Sequence, residues 1–401
     1  MIKHFMFTSE SVTEGHPDKL CDQISDAVVD HFLIQDPFAR VRAECAVSSA
    51  IMFIAARFSS TANVDFARLA RKVIKRIGYA QPNFDPRTCS ILTAPQARPL
   101  DESRRIDESE LSESEIDRIP ALNQVSVFGF ACDQSPELMP LPIWLAHRLA
   151  RRVTAVRREG ILPYLMADGK AQVGVEYQDL KPSRVHSVTL EVHQKNPDKP
   201  GAKTLLKDIR ELVVEPVFQD VDVRPDPKTR INVNPSGPYM GSPAHHSGLT
   251  GRKNAVDTYG EFARHSGKAL SGKDPMRIDR VGAYAARYAA KNLVAAGLAD
   301  SCEVMLSYSP GITRPVSIIV QTFGSGKLTN KDLAELVSRH FDFRPAGIVK
   351  QFELRHLPSR DARGFYQRLA AYGHFGRPDL DLPWEKTDKA EILADDARQP
   401  R

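Results

Sequence analysis

Paired strand-like runs and single helical runs follow one another irregularly along this chain, and that order restricts the fold more than any other feature. ECAVSSAIMFIAARF at 44–58 is small and apolar between polar stretches and reads as a strand or hairpin. SILTA, VSVFGFAC, AQVGVEY at 171–177, HSVTLEVH at 186–193, CEVMLSYS at 302–309 and SIIVQTF at 317–323 carry the same strand pattern. Helical runs fall at 20–35, 63–78, 142–158, 204–214, 281–298 and 330–341. The first reads as an amphipathic helix ending before Asp36-Pro37, the second as a helix capped by Asn63 and stopped at Gly78. Strand pairs mixed with helices in this order point to an α+β protein rather than a doubly wound parallel sheet.

One stretch breaks the pattern. Residues 95–119 (PQARPLDESRRIDESELSESEIDRI) are almost all charged or polar, and no apolar face emerges, so they read as a mobile loop or lid. A chain of 401 residues can bury a substantial core and divide into two or three domains. No apolar run approaches the ~18 residues of a membrane span. MIKHFMFTSES has neither a long apolar segment nor a small-residue cleavage site, so the expectation is a cytoplasmic protein without a signal peptide. Five cysteines, an odd count with no CxxC, argue for reduced thiols rather than disulfides or zinc. A net charge of +5 suits an anionic small molecule and is too diffuse to argue for nucleic acid.

Four segments place His, Lys, Arg and Asp beside glycine: EGHPDK at 14–19, SGLTGRK at 247–253, SGKDPMRID at 271–279, and AAYGHFGR with PWEKTDK at 370–388. Cationic side chains on glycine-relaxed backbone are what a polyphosphate requires, and interleaved aspartates are what a divalent cation on it requires. Proline fixes the corner from which His16, Asp18 and Lys19 emerge just before a helix. GKALSGK, ending at Lys273, has the Walker A spacing, but Asp274 replaces the hydroxyl residue and no βαβ unit surrounds it. Arg252 and Lys253 form a third cationic cluster, and Asp168 with Lys170 in ADGKAQV a fourth.

Together and in this order the motifs resemble the methionine adenosyltransferase (S-adenosylmethionine synthetase) family, from FTSESVTEGHPDK to PWEKTDKAEIL. The resemblance implies three similar α/β-sandwich domains with pseudo-threefold symmetry, at 1–103, 118–240 and 241–390, and a flexible active-site loop at 95–118. It implies ATP and methionine as substrates and S-adenosylmethionine, phosphate and diphosphate as products. His16, Lys170, Arg252, Lys253 and Lys273 would take the triphosphate charge, Asp168 would face the nucleoside, and Ala269 would also line the ATP site. Asp18 and Asp279 would hold two magnesium ions and Glu44 a potassium ion. A homodimer with active sites at its interface, possibly paired into a tetramer, is implied as well.

The chain departs from the family pattern around the amino acid. Two carboxylates expected to bind the methionine ammonium fall on Arg57 and His246. Asn123 replaces an aspartate, Arg277 a lysine, and Pro238 an arginine expected on ATP. Gln96 is the candidate for the glutamine that meets the methionine carboxylate. Arg57 would repel an ammonium at close range, by several kcal/mol at an effective dielectric near 20. These changes leave two other readings open: a paralogue for a thioether lacking or altering the amino group, and a non-catalytic ATP-binding subunit.

Overall fold

The computed structural model describes residues 4–101 and 105–398. Strand β1 (His4–Val12) leads into helix α1 (Pro17–Gln35), the hairpin β2 (Arg40–Ser48) and β3 (Ile51–Ser59), then α2 (Phe66–Ile77) and β4 (Ser90–Ala97). The single turn α3 (Glu113–Ile116) precedes β5 (Val125–Cys132) and α4 (Leu141–Arg158). A long hairpin, β6 (Leu165–Gln178) and β7 (Lys181–Gln194), is followed by α5 (Ala202–Ile209), a π turn at Arg210–Val214, α6 (Glu215–Val217) and β8 (Arg230–Val233). Next come β9 (Gly248–Leu249), α7 (Asn254–Asp257), α8 (Ile278–Ala295), β10 (Ser301–Tyr308) and β11 (Ser317–Gln321). Helices α9 (Asn330–His340), α10 (Pro345–Phe352), α11 (Leu357–Arg360), α12 (Phe365–Leu369) and α13 (Ala390–Arg398) complete it.

The strands form three open sheets, ordered β1-β6-β7-β8, β4-β3-β2-β9 and β11-β10-β5. Each borrows a strand from elsewhere in the chain. β1 runs antiparallel to β6 from His4 opposite Gln178 to Val12 opposite Lys170, β5 pairs with β10, and β9 pairs with β2. Each sheet also carries one long helix: α4 on β1 and β6, α1 on β2 and β9, α8 on β5 and β10. The architecture is α+β.

Alternation decides the faces of the β2–β3 hairpin. Val41, Ala43, Cys45, Val47, Met52, Ile54 and Ala56 are buried, whereas Arg42, Glu44, Ile51, Phe53 and Arg57 are exposed on the other face. Arg57 is therefore a surface residue of this sheet, opposite Arg42 on β2 and Gln96 on β4.

Helix α1 begins three residues before the expected start, because His16 caps it through Nδ1 to the Asp18 amide (3.2 Å) and Pro17 suits the first turn. Instead of being amphipathic with a solvated face, it is buried almost all round. Its polar stripe, Asp18, Asp22, Asp26 and Asp30, recurs every four residues and so stays on one side. Those carboxylates accept the backbone amides of Leu249 (3.0 Å), Gly251 (2.7 Å), Gly272 (2.8 Å), and Tyr366 with Gln367 (2.9 Å each). Lys19 pairs with Asp22 and Asp257, and Arg280 clamps Asp26 at 2.7 and 3.0 Å. The stripe thus holds three loops of the last third of the chain in place.

Other expectations shift locally. Asp65, not Asn63, caps α2 by accepting the Arg68 amide at 2.9 Å, and Gly78 ends it in the left-handed region as expected. β4 extends to Ala97, into the segment read as a loop. That segment lacks an apolar face but uses its charges as anchors. Arg105 grips Asp36, Glu108 is buried in a two-pronged pair with Arg355 (2.5 and 2.6 Å), and Glu113 meets Arg344. Residues 102–104, which belong to the expected loop, lie outside the described residues.

Segment 370–388 is a structural clamp rather than a fourth polyphosphate motif. Trp384 stacks on Tyr284 of α8 with ring centres 3.9 Å apart, and His374 Nδ1 meets the Tyr284 hydroxyl. Glu385 pairs with Arg287 and Lys291, while Arg377 spends its guanidinium on Asp379 and backbone carbonyls. The five cysteines are free and buried. Among the described residues no helix is long and apolar enough to cross a membrane.

Candidate active site

The expected site residues gather in two clusters, one at the N-terminal end of the aspartate stripe and one beside Asp26. The first surrounds the N-terminus of α1. The β6–β7 ladder is irregular between Leu165 and Gly169, and Asp168 sits in that interruption. Its buried carboxylate accepts the Ser242 amide and His246 Nε2, both at 2.7 Å, and the Tyr239 hydroxyl at 3.4 Å. Gly241 permits this approach, since a Cβ there would lie 2.8 Å from the Asp168 carboxylate. The His16 ring stands 5.0 Å from that of His246. Burial pushes the His16 imidazole down to about 3, although Asp168 pulls the other way. Burial alone would raise Asp168, but the hydrogen bonds from His246 and Ser242 help to hold it below its usual value.

Four more expected residues border this cluster. Lys170 pairs with Glu191 on the neighbouring strand at 2.9 Å and lies over the Tyr239 ring. Lys253 pairs with Glu10 of β1 at 2.8 Å. Arg252 is half exposed and reaches within 3.9 Å of Asp18. Asp18 is buried, which raises its carboxyl despite the Leu249 amide. Gly251 sets the turn behind them: its φ is +74°, and a Cβ would come within 2.2 Å of the Ala269 Cβ. Ala269 therefore packs against the loop carrying Arg252.

The second cluster lies about 12 Å further along, the eight-residue step from Asp18 to Asp26 on α1. Asp279, in the first turn of α8, takes the Asn123 amide on both oxygens at 3.0 and 3.2 Å and stands 3.7 Å from Lys273 Nζ. Burial lowers the Lys273 ammonium to about 8, against the pull of Asp279. Asp274, at the Walker-like hydroxyl position, instead accepts the Val41 and Met276 amides. Beside this cluster a cavity of about 620 Å³ is lined by Arg40, Arg42, Arg57, Arg98, Arg105 and Arg277. Arg57 and Arg98 have no carboxylate partner among the described residues, whereas Arg42 holds Glu44 at 2.5 and 3.0 Å.

Within one chain, then, the two altered positions do not meet. His246 belongs to the first cluster, and Arg57 and Arg277 to the wall of the second. Sequence reasoning missed Tyr239, Glu10, Glu191 and, beyond Asp18, the α1 aspartates Asp22, Asp26 and Asp30. Only the aspartates left a readable signal, their four-residue spacing after the histidine corner.

The chain matches three family models described as the N-terminal, central and C-terminal domains of S-adenosylmethionine synthetase, over residues 4–98, 118–239 and 240–386. It is 49% identical to the S-adenosylmethionine synthase of Gloeothece citriformis, over 100% of this chain and 99% of that protein. It is 50% identical to that of Thermosynechococcus vestitus over 98% of both chains. It is also 50% identical to that of Nostoc punctiforme, over 100% of this chain and 97% of the relative.

Proposed function

The chain belongs to the S-adenosylmethionine synthetase family, and from that premise we propose how its residues perform adenosyl transfer. It is a methionine adenosyltransferase: ATP and methionine give S-adenosylmethionine, phosphate and diphosphate. Neither a different thioether nor a non-catalytic subunit is favoured by relatives that share the full length and the name.

The observation that carries the mechanism is the ring of His16, Lys170, Arg252 and Lys253 around the N-terminus of α1, the positive end of a 19-residue helix. A thioether sulfur needs no general base. The barrier lies in positioning and in charge growing on the leaving triphosphate. His16, neutral at physiological pH, would contribute an N–H hydrogen bond, while Lys170, Arg252, Lys253 and Lys273 supply charge. Asp168 would orient the nucleoside beside Ala269. The methionine wall would be Arg57, Arg277 and Gln96, cations and an amide that suit the carboxylate of an amino acid better than its ammonium.

A hard divalent cation fits at Asp18, whose Oδ1 takes the Leu249 amide while Oδ2 has, among the described residues, only His16, 3.7 Å away. At Asp279 a second ion would have to displace the Asn123 amide. Bound there, magnesium would offset triphosphate charge. Potassium fits poorly at Glu44, which is already paired with Arg42, and no step is assigned to it.

We place the complete site at a homodimer interface. Ile51, Phe53, Leu92 and Leu249 stand exposed on the outer face of the β4-β3-β2-β9 sheet. A second copy covering that face would bring its own cluster toward the gap between the two described here. A tetramer, the domain limits 1–103, 118–240 and 241–390, a closing role for 95–118 and a cytoplasmic location complete the proposal.

Phosphate release with ATP, magnesium and potassium tests it, with methionine and its desamino analogue compared side by side. Methionine-dependent release is expected. Release that ignores methionine, or that occurs only with the analogue, would overturn the assignment.

A further inference from the structure

The histidine that replaces the family's carboxylate creates a ligand set of its own. His16, Asp168 and His246 each offer one donor atom, and these atoms all lie within 4.8 Å of one another. We propose that these three residues form a binding site for a divalent transition-metal ion such as cobalt, zinc or iron, distinct in chemistry from the all-oxygen magnesium positions. Two imidazoles and one carboxylate are a nitrogen-rich set that favours borderline metals over magnesium.

Three features make the set more than a coincidence of spacing. The ligands are held from behind: the Ser242 amide and Tyr239 hydroxyl fix Asp168, and the Asp18 amide engages His16 Nδ1, which leaves His16 Nε2 to coordinate. Coordination through Nε2 requires the ring proton on Nδ1, so the Asp18 amide gives up that acceptor when an ion binds. An ion would take the place of the proton that His246 Nε2 shares with Asp168 Oδ2 at 2.7 Å, the two atoms moving apart to coordinate side by side and that proton passing to His246 Nδ1. The site is also reachable and open on one side. The His246 side chain is 31% exposed, and a cavity of about 650 Å³ lined by His193, Ser242 and His245 adjoins the loop that holds Asp168. The nearby lysines do not forbid a cation, since Lys170 and Lys253 are each paired with a glutamate.

Titration of the full-length, nucleotide-free protein with cobalt(II) tests the site through the visible absorption of the bound ion. The wild type should bind one equivalent in a nitrogen-containing field that excess magnesium does not displace. His246→Ala should weaken binding by about tenfold or more, whereas His245→Ala, one residue away, should not. His246→Gln, which keeps a polar group beside Asp168, repeats the test if the alanine variant folds poorly by circular dichroism. Absence of a cobalt spectrum in the wild type, or one that persists in both His246 variants, overturns the proposal. So does loss of the spectrum in His245→Ala alone.

Discussion

Asn123 donates its side-chain amide to both carboxylate oxygens of Asp279, at 3.0 and 3.2 Å. The acid that opens α8 is thereby balanced by a dipole from the loop before β5, where the family pattern has a second acid. Asn123→Asp should set two carboxylates face to face and cost about 1–3 kcal/mol in the presence of a chelator. Magnesium should restore that stability, while the wild-type melting temperature moves little. Asp279→Asn, which removes the proposed ligand, should cost on the order of a hundredfold in turnover with methionine affinity nearly unchanged. A chelator-insensitive Asn123→Asp would show that the two side chains do not share a cation position.

Lys273 should set an alkaline limit on ATP binding. Its ammonium titrates near 8 in the folded chain, below the 10.5 of an unburied lysine. Above about pH 8 the folded protein therefore loses a charge that the unfolded chain keeps. The unfolded state then binds more protons, so stability rises with pH between these two values. Function should move the other way, with KM for ATP rising above about pH 8 as the cation is lost. Lys273→Arg should flatten that rise, because a guanidinium stays charged throughout. Steady-state KM measured across this range in both proteins checks the assignment.

Breaking the centre of the α1 stripe should unfold the loops it holds. Asp26→Ala strips the fully buried Arg280 of its carboxylate partner and removes the acceptor of the Gly272 amide. The expected loss is ~3–5 kcal/mol, read as a shifted urea midpoint. Asp26→Asn, which keeps an acceptor, should lose less.

The anchor of the charged segment is equally specific. Glu108→Gln removes the charge from its buried pair with Arg355. Limited proteolysis should then cut between residues 98 and 112 faster than in the wild type. ATP with methionine should slow cutting in both proteins if the segment closes over the site. Equal cutting rates in wild type and variant would mean that the pair does not hold the segment.

Local pattern alone placed α4, α8, β5 and the hairpins, and it marked the His16 corner and the segment from Lys273 to Asp279. Those features are legible because helical and strand periods, caps and turn residues are written within a few neighbouring positions. Resemblance to the family, not local pattern, flagged Arg57 and His246 as departures. Tertiary structure decided that these two belong to different clusters, that β1 pairs with β6, and that segment 370–388 clamps α8 instead of binding phosphate. It decided, too, that four aspartates of one helix are buried acceptors for distant amides. A carboxylate bonded to a backbone N–H more than two hundred residues away leaves no trace in the partner's identity, since every residue but proline offers the same donor. Long-range pairing of that kind is settled only when the chain closes on itself.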